Sequence, residues 1–588
     1  MKGLLKEEYG KLEEICGVVI HSEQKNINLI IQNALTLFLN QCEKPAIWCY
    51  GIHTKMLMAD FIFCLKKVRY IIDNGIESKD DNGFKFITEH EILKNGIDGI
   101  VISSKIFKDE IIDNLKRNYP GIKYLDLYES LEKAGIRLNA EYYAGRHPYD
   151  KYCHLNDLQR NLIGENDKNA LQKGLKAIIS KYVEIKDFRS AIHYANKLIE
   201  LSDGVWERNL LIQLNKIYAL QIKAMERVDQ NNVLMLCIDG LRRKDVCEEY
   251  MENLSRFIEK DMFFFNNAYS VSTSTFESLI PAYSENDDLR SRYYESDCIE
   301  KNKCRFILEA KKQKRKVFFY TDGFRYIDDD VISVTAYSQT ATEKLWDFLL
   351  DAANEKNGLF YIHILYESHF SYPNPYTTEK IVADGMNILF DYLEKNGGKI
   401  RGDYDKQQKD SLRYLDDVIV PLISKLPCRF VLYADHGNIL IEQEELSDIM
   451  KTKFTFHEEL VQVPFAIRSP EVGVGISNNL ISIMELNSVI IGLMNKNKFL
   501  FKEKDFIKIV RSEIYNPDFQ YLYKKADIER GILAFEVFVF KEGYKLAVYS
   551  DGIAEVYLLE TDAKINNEKL KMELYNRIKN SITVCTSK

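Results

Sequence analysis

The run Val233-Leu-Met-Leu-Cys-Ile-Asp-Gly240 is apolar until it stops at Asp239, and Phe430-Val-Leu-Tyr-Ala-Asp-His-Gly437 repeats this arrangement further along the chain. A short continuous apolar run is typical of a strand that is buried on both faces of a parallel sheet. Each run therefore predicts a strand that brings a carboxylate to the carboxyl edge of the sheet, and the second run adds the imidazole of His436. Open α/β folds place their ligand sites at that edge.

The surrounding sequence alternates apolar runs with helical patterns, which predicts a large, mostly parallel α/β domain over 229–500. Its predicted strands cover 233–238, 316–320, 359–365, 429–434 and 463–467. In residues 501–588 apolar and polar residues alternate one by one between turns that contain Gly, a pattern typical of antiparallel strands. A final helix is predicted from about Asn567 to Lys579. We expect them to form a small antiparallel sheet and a helix that complete the large domain. Residues 151–228 have helical spacing and predict a helical connector.

Residues 1–150 predict a Rossmann-like α/β domain that follows a short helical leader. Three of its strands are predicted in Lys44–Gly51, Val68–Asp73 and Gly99–Ser103. Asp73 lies about where a ribose-binding acid falls, but Gly51 is a single glycine where a dinucleotide-binding turn has three. We therefore favour a structural or docking domain in which Asp73 caps a loop, and nucleotide binding is the alternative.

The amino-acid composition indicates a folded globular protein and gives no sign of a nucleic-acid-binding one. The 588 residues imply several domains. The content of 46% hydrophobic and 12% aromatic residues is typical of a folded globular protein. A formal charge of -8 gives no general reason to bind nucleic acid. Without a long apolar stretch or a signal-peptide pattern, we expect a soluble, cytoplasmic chain. The eleven cysteines show no Cys-x-x-Cys spacing, and we expect them to be reduced thiols.

A candidate site follows from the residue types. Asp239, Asp435 and His436 offer the oxygen and nitrogen ligands that a borderline cation such as Zn²⁺ or Mn²⁺ prefers. Between the two strands lies Ser272-Thr-Ser-Thr-Phe-Glu-Ser-Leu-Ile-Pro281, which is rich in hydroxyl groups. A hydroxyl held against a divalent cation loses its proton near neutral pH and becomes a nucleophile.

The order of these segments, followed by Glu367-Ser-His369 and Phe456-His-Glu-Glu-Leu460, resembles the alkaline phosphatase and sulfatase superfamily. The closest resemblance is to the phosphoethanolamine and phosphoglycerol transferases, including lipoteichoic acid synthase, and it covers 229–585. It implies an alkaline phosphatase-like fold with a small C-terminal sheet. The chain lacks the Cys-x-Pro-x-Arg signature, so formylglycine sulfatase chemistry is not expected.

The resemblance also assigns roles to individual residues. It implies that Asp239, Asp435 and His436 bind metal and that Thr275 is both a ligand and the nucleophile. Thr273 is the alternative nucleophile, because Thr273-Ser-Thr-Phe-Glu277 can also be aligned with the synthase pattern. The resemblance further implies that His369 and His457 contact substrate or a second metal. We interpret a further histidine, in Tyr361-Ile-His-Ile-Leu365, as a strand residue without a chemical role.

The function that the resemblance implies is a metal-dependent transferase. It would move a phospho-alcohol head group, of the phosphoethanolamine or phosphoglycerol type, to a glycan or glycan precursor through a phospho-threonine. The donor is expected to be a phosphorylated small molecule or a lipid-linked compound, with peripheral membrane association left open. The alternatives are a phosphomonoesterase or phosphodiesterase, and an inactive scaffold in glycan assembly.

Overall fold

A computed structural model describes residues 1–16, 30–61, 64–74, 84–134, 148–202, 204–287, 298–324, 326–335, 338–369, 372–379, 398–438, 456–498, 501, 503–514, 520, 524 and 529–584. These residues contain three separate sheets of five, eight and five strands. Within the described ranges no helix is both long and apolar enough to cross a bilayer. The described cysteines are all free thiols.

The N-terminal sheet is entirely parallel, as predicted. Its strands are β1 (Pro45–Trp48), β2 (Tyr70–Ile72), β3 (Lys85–Ile87), β4 (Gly99–Ile102) and β5 (Lys123–Asp126), in the order β3-β2-β1-β4-β5. The neighbouring helices are α2 (Ile52–Phe61), α3 (Lys108–Asn118) and α4 (Leu127–Lys133), with a further helix over 30–39. Oδ2 of Asp73 accepts a hydrogen bond from the backbone N–H of Tyr50 at 2.8 Å, so this carboxylate holds the turn after β1.

The first helix, α1 (Lys2–Cys16), packs away from that sheet. Its buried Leu5 and Leu12 belong to the main hydrophobic core, against the connector helices. The connector consists of α5 (Pro148–Arg160), α6 (Lys168–Glu184), α7 (Phe188–Leu201) and α8 (Val205–Met225). Because all of these helices share the core of the large sheet, the connector is part of the body that carries the candidate site.

The large sheet has β6 (Val233–Ile238) near its centre, and all six residues of this strand are buried. The remaining strands are β7 (Phe263–Tyr269), β8 (Lys316–Tyr320), β9 (Ile332–Val334), β10 (Gly358–Ile364), β11 (Arg429–Tyr433), β12 (Phe465–Arg468) and β13 (Gly475–Ser482). Their order is β13-β7-β12-β11-β6-β10-β8-β9. Only β12 runs against its described neighbours, so the prediction of a mostly parallel sheet is confirmed. The sequence reading missed β7, β9 and β13.

Helices pack around this sheet in two groups. The first group joins α1 and α8 to α9 (Glu252–Asp261), α12 (Ala341–Ala352) and α13 (Gly398–Ile423). The second group contains α10 (Thr275–Ser284), α11 (Arg305–Lys312) and α15 (Leu486–Asn495). A short helix, α14 (Glu458–Val461), precedes β12. This covering explains why the strands of the sheet are continuously apolar.

The C-terminal sheet is the predicted antiparallel meander. It consists of β14 (Phe506–Arg511), β15 (Phe535–Phe540), β16 (Tyr544–Tyr549), β17 (Ala554–Leu558) and β18 (Lys564–Ile565), paired in chain order. The final helix, α16 (Glu568–Ile578), packs on this sheet through Leu574 and Ile578.

Candidate active site

The two carboxylates of the site meet because their strands are neighbours. β6 and β11 are parallel and in register, with Cys237 opposite Tyr433. Asp239 and Asp435 each lie two residues beyond that pair, at the same level of the sheet edge. The backbone N–H of Gly240 donates to Oδ1 of Asp435 at 3.1 Å, which ties the two strand ends together. Gly240 has a φ of +62°, in the left-handed region that glycine adopts without strain.

The site fits a cation. Oδ1 of Asp239 and Oδ2 of Asp435 are buried and have no hydrogen-bond partner among the residues that the structure describes. Together with a nitrogen of His436 they form a group whose ligand atoms all lie within 4.8 Å of one another. Two buried carboxylates with unsatisfied oxygens are costly unless a positive charge compensates them. Two oxygens and one nitrogen are a suitable partial ligand set for a divalent cation.

The charges of the site shift the pKa values of Asp239, Asp435 and His436, because these side chains are buried close to one another. Burial alone would raise the pKa of Asp239, but the contact with His363 and the charges of His436 and His369 hold it well below its usual range. The pKa of Asp435 is raised, first by burial and then by the charge of Asp239. Burial opposes protonation of His436, yet Asp435 and Asp239 outweigh it and raise the pKa of this imidazole. The site therefore stabilises positive charge.

The orientation of His436 suits a metal ligand. Its Nδ1 lies 2.5 Å from the carbonyl oxygen of Gly437, and a carbonyl only accepts, so Nδ1 carries the hydrogen. In the neutral ring, Nε2 then has the free lone pair. This nitrogen lies 3.5 Å from Oδ2 of Asp435 and 4.0 Å from Oδ1 of Asp239. Gly437 is required because a Cβ at this position would lie 1.8 Å from the carbonyl oxygen of Glu459.

Thr275 brings a hydroxyl group to these ligands. Its Oγ1 donates to Oδ2 of Asp239 at 3.0 Å and lies 3.3 Å from Nε2 of His436. Thr275 is the first residue of α10, where the helix dipole favours negative charge. The structure therefore joins Asp239, Thr275, Asp435 and His436 in one cluster.

The turn before α10 is held by other hydroxyl groups. The backbone N–H of Ser272 donates to Oγ of the buried Ser278 at 3.1 Å, and Oγ of Ser272 donates to Oε2 of Glu277 at 3.1 Å. Ser278 thus shapes the turn that presents Thr275. Thr273 is half-buried on the same turn, two residues before the start of the helix.

His369 and His457 lie on different segments around the cluster. His369 is exposed on the turn after β10, and its charge contributes to the low pKa of Asp239. His457 caps α14 by accepting the backbone N–H of Glu459 at Nδ1, at 3.2 Å. Its Nε2 lies 3.4 Å from Oδ2 of Asp562, so this imidazole contacts the C-terminal sheet region.

His363 is the site residue that sequence reasoning missed. It lies in β10 as predicted, but its Nε2 is 3.2 Å from Oδ2 of Asp239. Nδ1 is 3.0 Å from the hydroxyl of Tyr326, which fixes the ring from the other side. The interpretation that His363 has no chemical role overlooked the pairing of β10 with β6, which a single sequence does not reveal.

Two buried cations also support the site without a sequence signal. Arg242 donates to both oxygens of Asp245, at 2.7 Å each, and to Oε2 of Glu459 at 2.7 Å, so it ties the loop after β6 to α14. Nζ of Lys344 pairs with Asp322 and donates to the carbonyl oxygen of His363 at 2.5 Å.

Comparison with known proteins finds a family model that matches part of the chain. Residues 289–496 match the family model named Sulfatase, a range that contains His363, His369, Asp435, His436 and His457. No curated protein matches the chain in sequence.

Several solved structures resemble part of the chain. The phosphonate monoester hydrolase SpPMH from Silicibacter pomeroyi is 13% identical, with 60% of this chain and 96% of that chain covered and a TM-score of 0.42. A protein of the alkaline phosphatase superfamily from Vibrio parahaemolyticus is 11% identical, with 62% and 95% covered and a TM-score of 0.39. The C-terminal periplasmic domain of EcEptC from Escherichia coli is 14% identical, with 44% and 80% covered and a TM-score of 0.30. Likenesses this distant say nothing about substrate. The family match over 289–496 agrees with the resemblance to the alkaline phosphatase and sulfatase superfamily that the sequence motifs predict.

Proposed function

We propose that this domain is a metal-dependent phosphotransferase. It moves a phospho-alcohol head group, of the phosphoethanolamine or phosphoglycerol type, from a phosphodiester donor to a glycan or glycan precursor. The observation that carries this proposal is the position of Thr275, whose hydroxyl lies within hydrogen-bond distance of Asp239 and His436. A hydroxyl at a cation site, without a formylglycine signature in the sequence, suits attack on phosphorus better than sulfate ester hydrolysis.

Asp239, Asp435, His436 and Thr275 would hold the metal. When bound, the cation supplies positive charge that favours ionisation of the threonine and offsets charge on the phosphate oxygens. The Thr275 hydroxyl already donates to Oδ2 of Asp239, so this carboxylate orients the oxygen.

The reaction then proceeds in two displacements at the same phosphorus. In the first, the Thr275 hydroxyl loses its proton and Oγ1 bonds to phosphorus while the bond from phosphorus to the donor oxygen breaks. The departing oxygen takes up a proton and leaves as the donor alcohol, and the head group stays on the threonine. In the second, an acceptor hydroxyl attacks this phosphorus and the threonine oxygen leaves. The start of α10 stabilises the added negative charge in both steps. His369, exposed beside the site, is placed to contact the head group.

Hydrolysis is the second candidate, because Thr275 is only half-buried and His369 is exposed. A water molecule that reaches the phospho-threonine in place of the acceptor gives a phosphodiesterase. The two functions share the first displacement and differ only in what takes the head group.

The test is to supply the full chain with Mn²⁺ or Zn²⁺ and a phosphoethanolamine diester, with and without an oligosaccharide acceptor. ³¹P NMR separates the head group transferred to sugar from the group released to water. We expect a new sugar phosphodiester that depends on acceptor, and no product from Thr275→Ala. Release to water alone would favour the hydrolase, and a lack of both metal and turnover would favour the inactive scaffold.

A further inference from the structure

The turn before α10, residues 270–274, contacts the C-terminal sheet as well as the large sheet. The backbone N–H of Val510, in β14, donates to the carbonyl oxygen of Val271 at 2.8 Å. β14 is the edge strand of the C-terminal sheet, and its other side pairs with β15. The turn that leads to Thr275 is therefore hydrogen-bonded to the edge of a sheet outside the large α/β domain.

The carboxylate of Glu277 joins the same two parts of the chain through side chains. Ser512, the residue after β14, donates its hydroxyl to Oε1 of Glu277. Oε2 of the same carboxylate accepts the hydroxyl of Ser272 at 3.1 Å. Both serines are buried, and hydrogen bonds to an ionised acceptor are stronger than those between neutral groups. Glu277 thus forms a bridge from the turn to the C-terminal sheet.

This bridge takes the place of ordinary capping at the start of α10. Ser274 is the N-cap residue, and among the described residues its side chain makes no capping hydrogen bond. Glu277 is the third residue of the helix, where the glutamate of a capping box reaches back to the N-cap residue. Its carboxylate instead accepts from Ser272 and Ser512. The start of α10 therefore depends on a residue of the C-terminal region.

β14 also holds the other end of α10. Nζ of Lys508, in β14, lies 2.7 Å from Oδ2 of Asp287, three residues after the last residue of the helix. The lysine side chain is mostly buried, at 15% exposure, so this ion pair is better shielded from water than a surface one. Contacts at both ends fix the helix along the strand.

We infer that Glu277 and Ser512 are positioning residues for Thr275, a role that rests on the proposed function. Oγ1 of Thr275 lies 3.0 Å from Oδ2 of Asp239, and the turn and the first turn of α10 set this distance. A reacting group displaced by about 1 Å can lose on the order of 100-fold in rate. The C-terminal sheet thus contributes to the reaction by holding the nucleophile in place.

The test compares single-turnover kinetics of full-chain variants with Mn²⁺ and the 4-nitrophenyl ester of phosphoethanolamine. Release of nitrophenol measures the first displacement. Ser512→Ala removes the hydroxyl that contacts Glu277, and Ser512→Thr retains a hydroxyl. Ser550→Ala is the matched control, because Ser550 is a half-buried serine on the turn after β16 of the same sheet.

We expect Ser512→Ala to slow the first displacement about tenfold, with KM and metal content unchanged, because only the placement of the nucleophile is disturbed. Ser512→Thr should restore most of the rate, and Ser550→Ala should react normally. Adding Ser512→Ala to Glu277→Gln should cost less than the two single losses combined, because both changes break one contact. An unchanged rate in Ser512→Ala, or a loss that Ser512→Thr does not restore, would overturn the proposal.

Hydrogen exchange gives a second measurement that does not require turnover. In the metal-free chain, backbone amides of residues 270–280 should exchange faster in Ser512→Ala than in the unmodified chain or in Ser550→Ala. If the unmodified chain releases no nitrophenol, the proposed function fails, and faster exchange in this segment alone still supports the contact that holds the turn. Equal exchange in all variants would overturn the positioning role whatever the activity.

Discussion

Nε2 of His363 lies 3.2 Å from Oδ2 of Asp239, the same oxygen that accepts the hydroxyl of Thr275. His363 is on β10, adjacent to β6, so the sheet itself sets this distance. The contact engages Oδ2, while Oδ1 of Asp239 is buried without a hydrogen-bond partner among the described residues. His363 is therefore a positioning residue for the proposed metal ligand.

Replacing His363 with Gln should weaken metal binding by about 10–100-fold, the usual cost of losing a partner that orients a ligand. The affinity is measured by competition with a chelating dye. Tyr326→Phe removes only the hydroxyl that contacts Nδ1 of His363 and should have a smaller effect. Unchanged affinity in His363→Gln would contradict the positioning role.

Asp435→Asn and His436→Ala should each lose stoichiometric metal and activity while keeping the fold. Each change removes a donor atom from a set whose atoms lie within 4.8 Å of one another, and the remaining donors under-coordinate the cation. Metal content is measured by plasma mass spectrometry and the fold by circular dichroism. His90→Ala, in the N-terminal domain, is the control, and full metal retention in either site variant would refute the site.

Thr275→Ala should lower turnover by about a thousandfold or more, because the nucleophile is lost. Thr273→Ala should cost far less, since its hydroxyl lies on the turn before α10 rather than on Asp239. Mass spectrometry of the chain trapped with a slow phosphodiester locates the covalent adduct. An adduct on Thr273 would reverse this assignment.

Metal affinity should rise with pH across neutrality. The pKa of His436 is raised above its ordinary value of 6.5, so in the metal-free protein this imidazole keeps its proton to higher pH. A cation must displace that proton, and the competition disappears only above the raised pKa. The raised pKa of Asp435 extends the effect to lower pH. Titrations with metal at several pH values should show proton release, and a flat pH profile would contradict protonation at His436.

Gly437→Ala should destabilise the domain by about 1–3 kcal/mol and displace His436. The added Cβ would lie 1.8 Å from the carbonyl oxygen of Glu459, a backbone atom that moves only if α14 moves. Urea unfolding and metal affinity are the two measurements. Gly121→Ala, where no atom lies within 4 Å of the new Cβ, is the control.

Much of the candidate site was predictable because its signals are local. An apolar strand that ends in Asp239 and another that ends in Asp435 and His436 place these groups at the carboxyl edge of a parallel sheet, whatever the strand order. The hydroxyl-rich composition pointed to the segment that contains Thr275, and the structure shows that a helix begins at this residue. The C-terminal antiparallel sheet was also predictable, because apolar and polar residues alternate along its strands and glycines mark its turns.

What the sequence by itself determined is therefore the type of the elements with a strong local pattern and the chemistry at the ends of β6 and β11, because both depend on neighbouring residues along the chain. Only the tertiary structure decided that β10 lies beside β6, which brings His363 to Asp239, and that α1 joins the main core. It also decided that the connector helices and α13 line a common cleft. These relationships join residues far apart in sequence. The order of strands and the packing of helices, set by burial of apolar surface, create them.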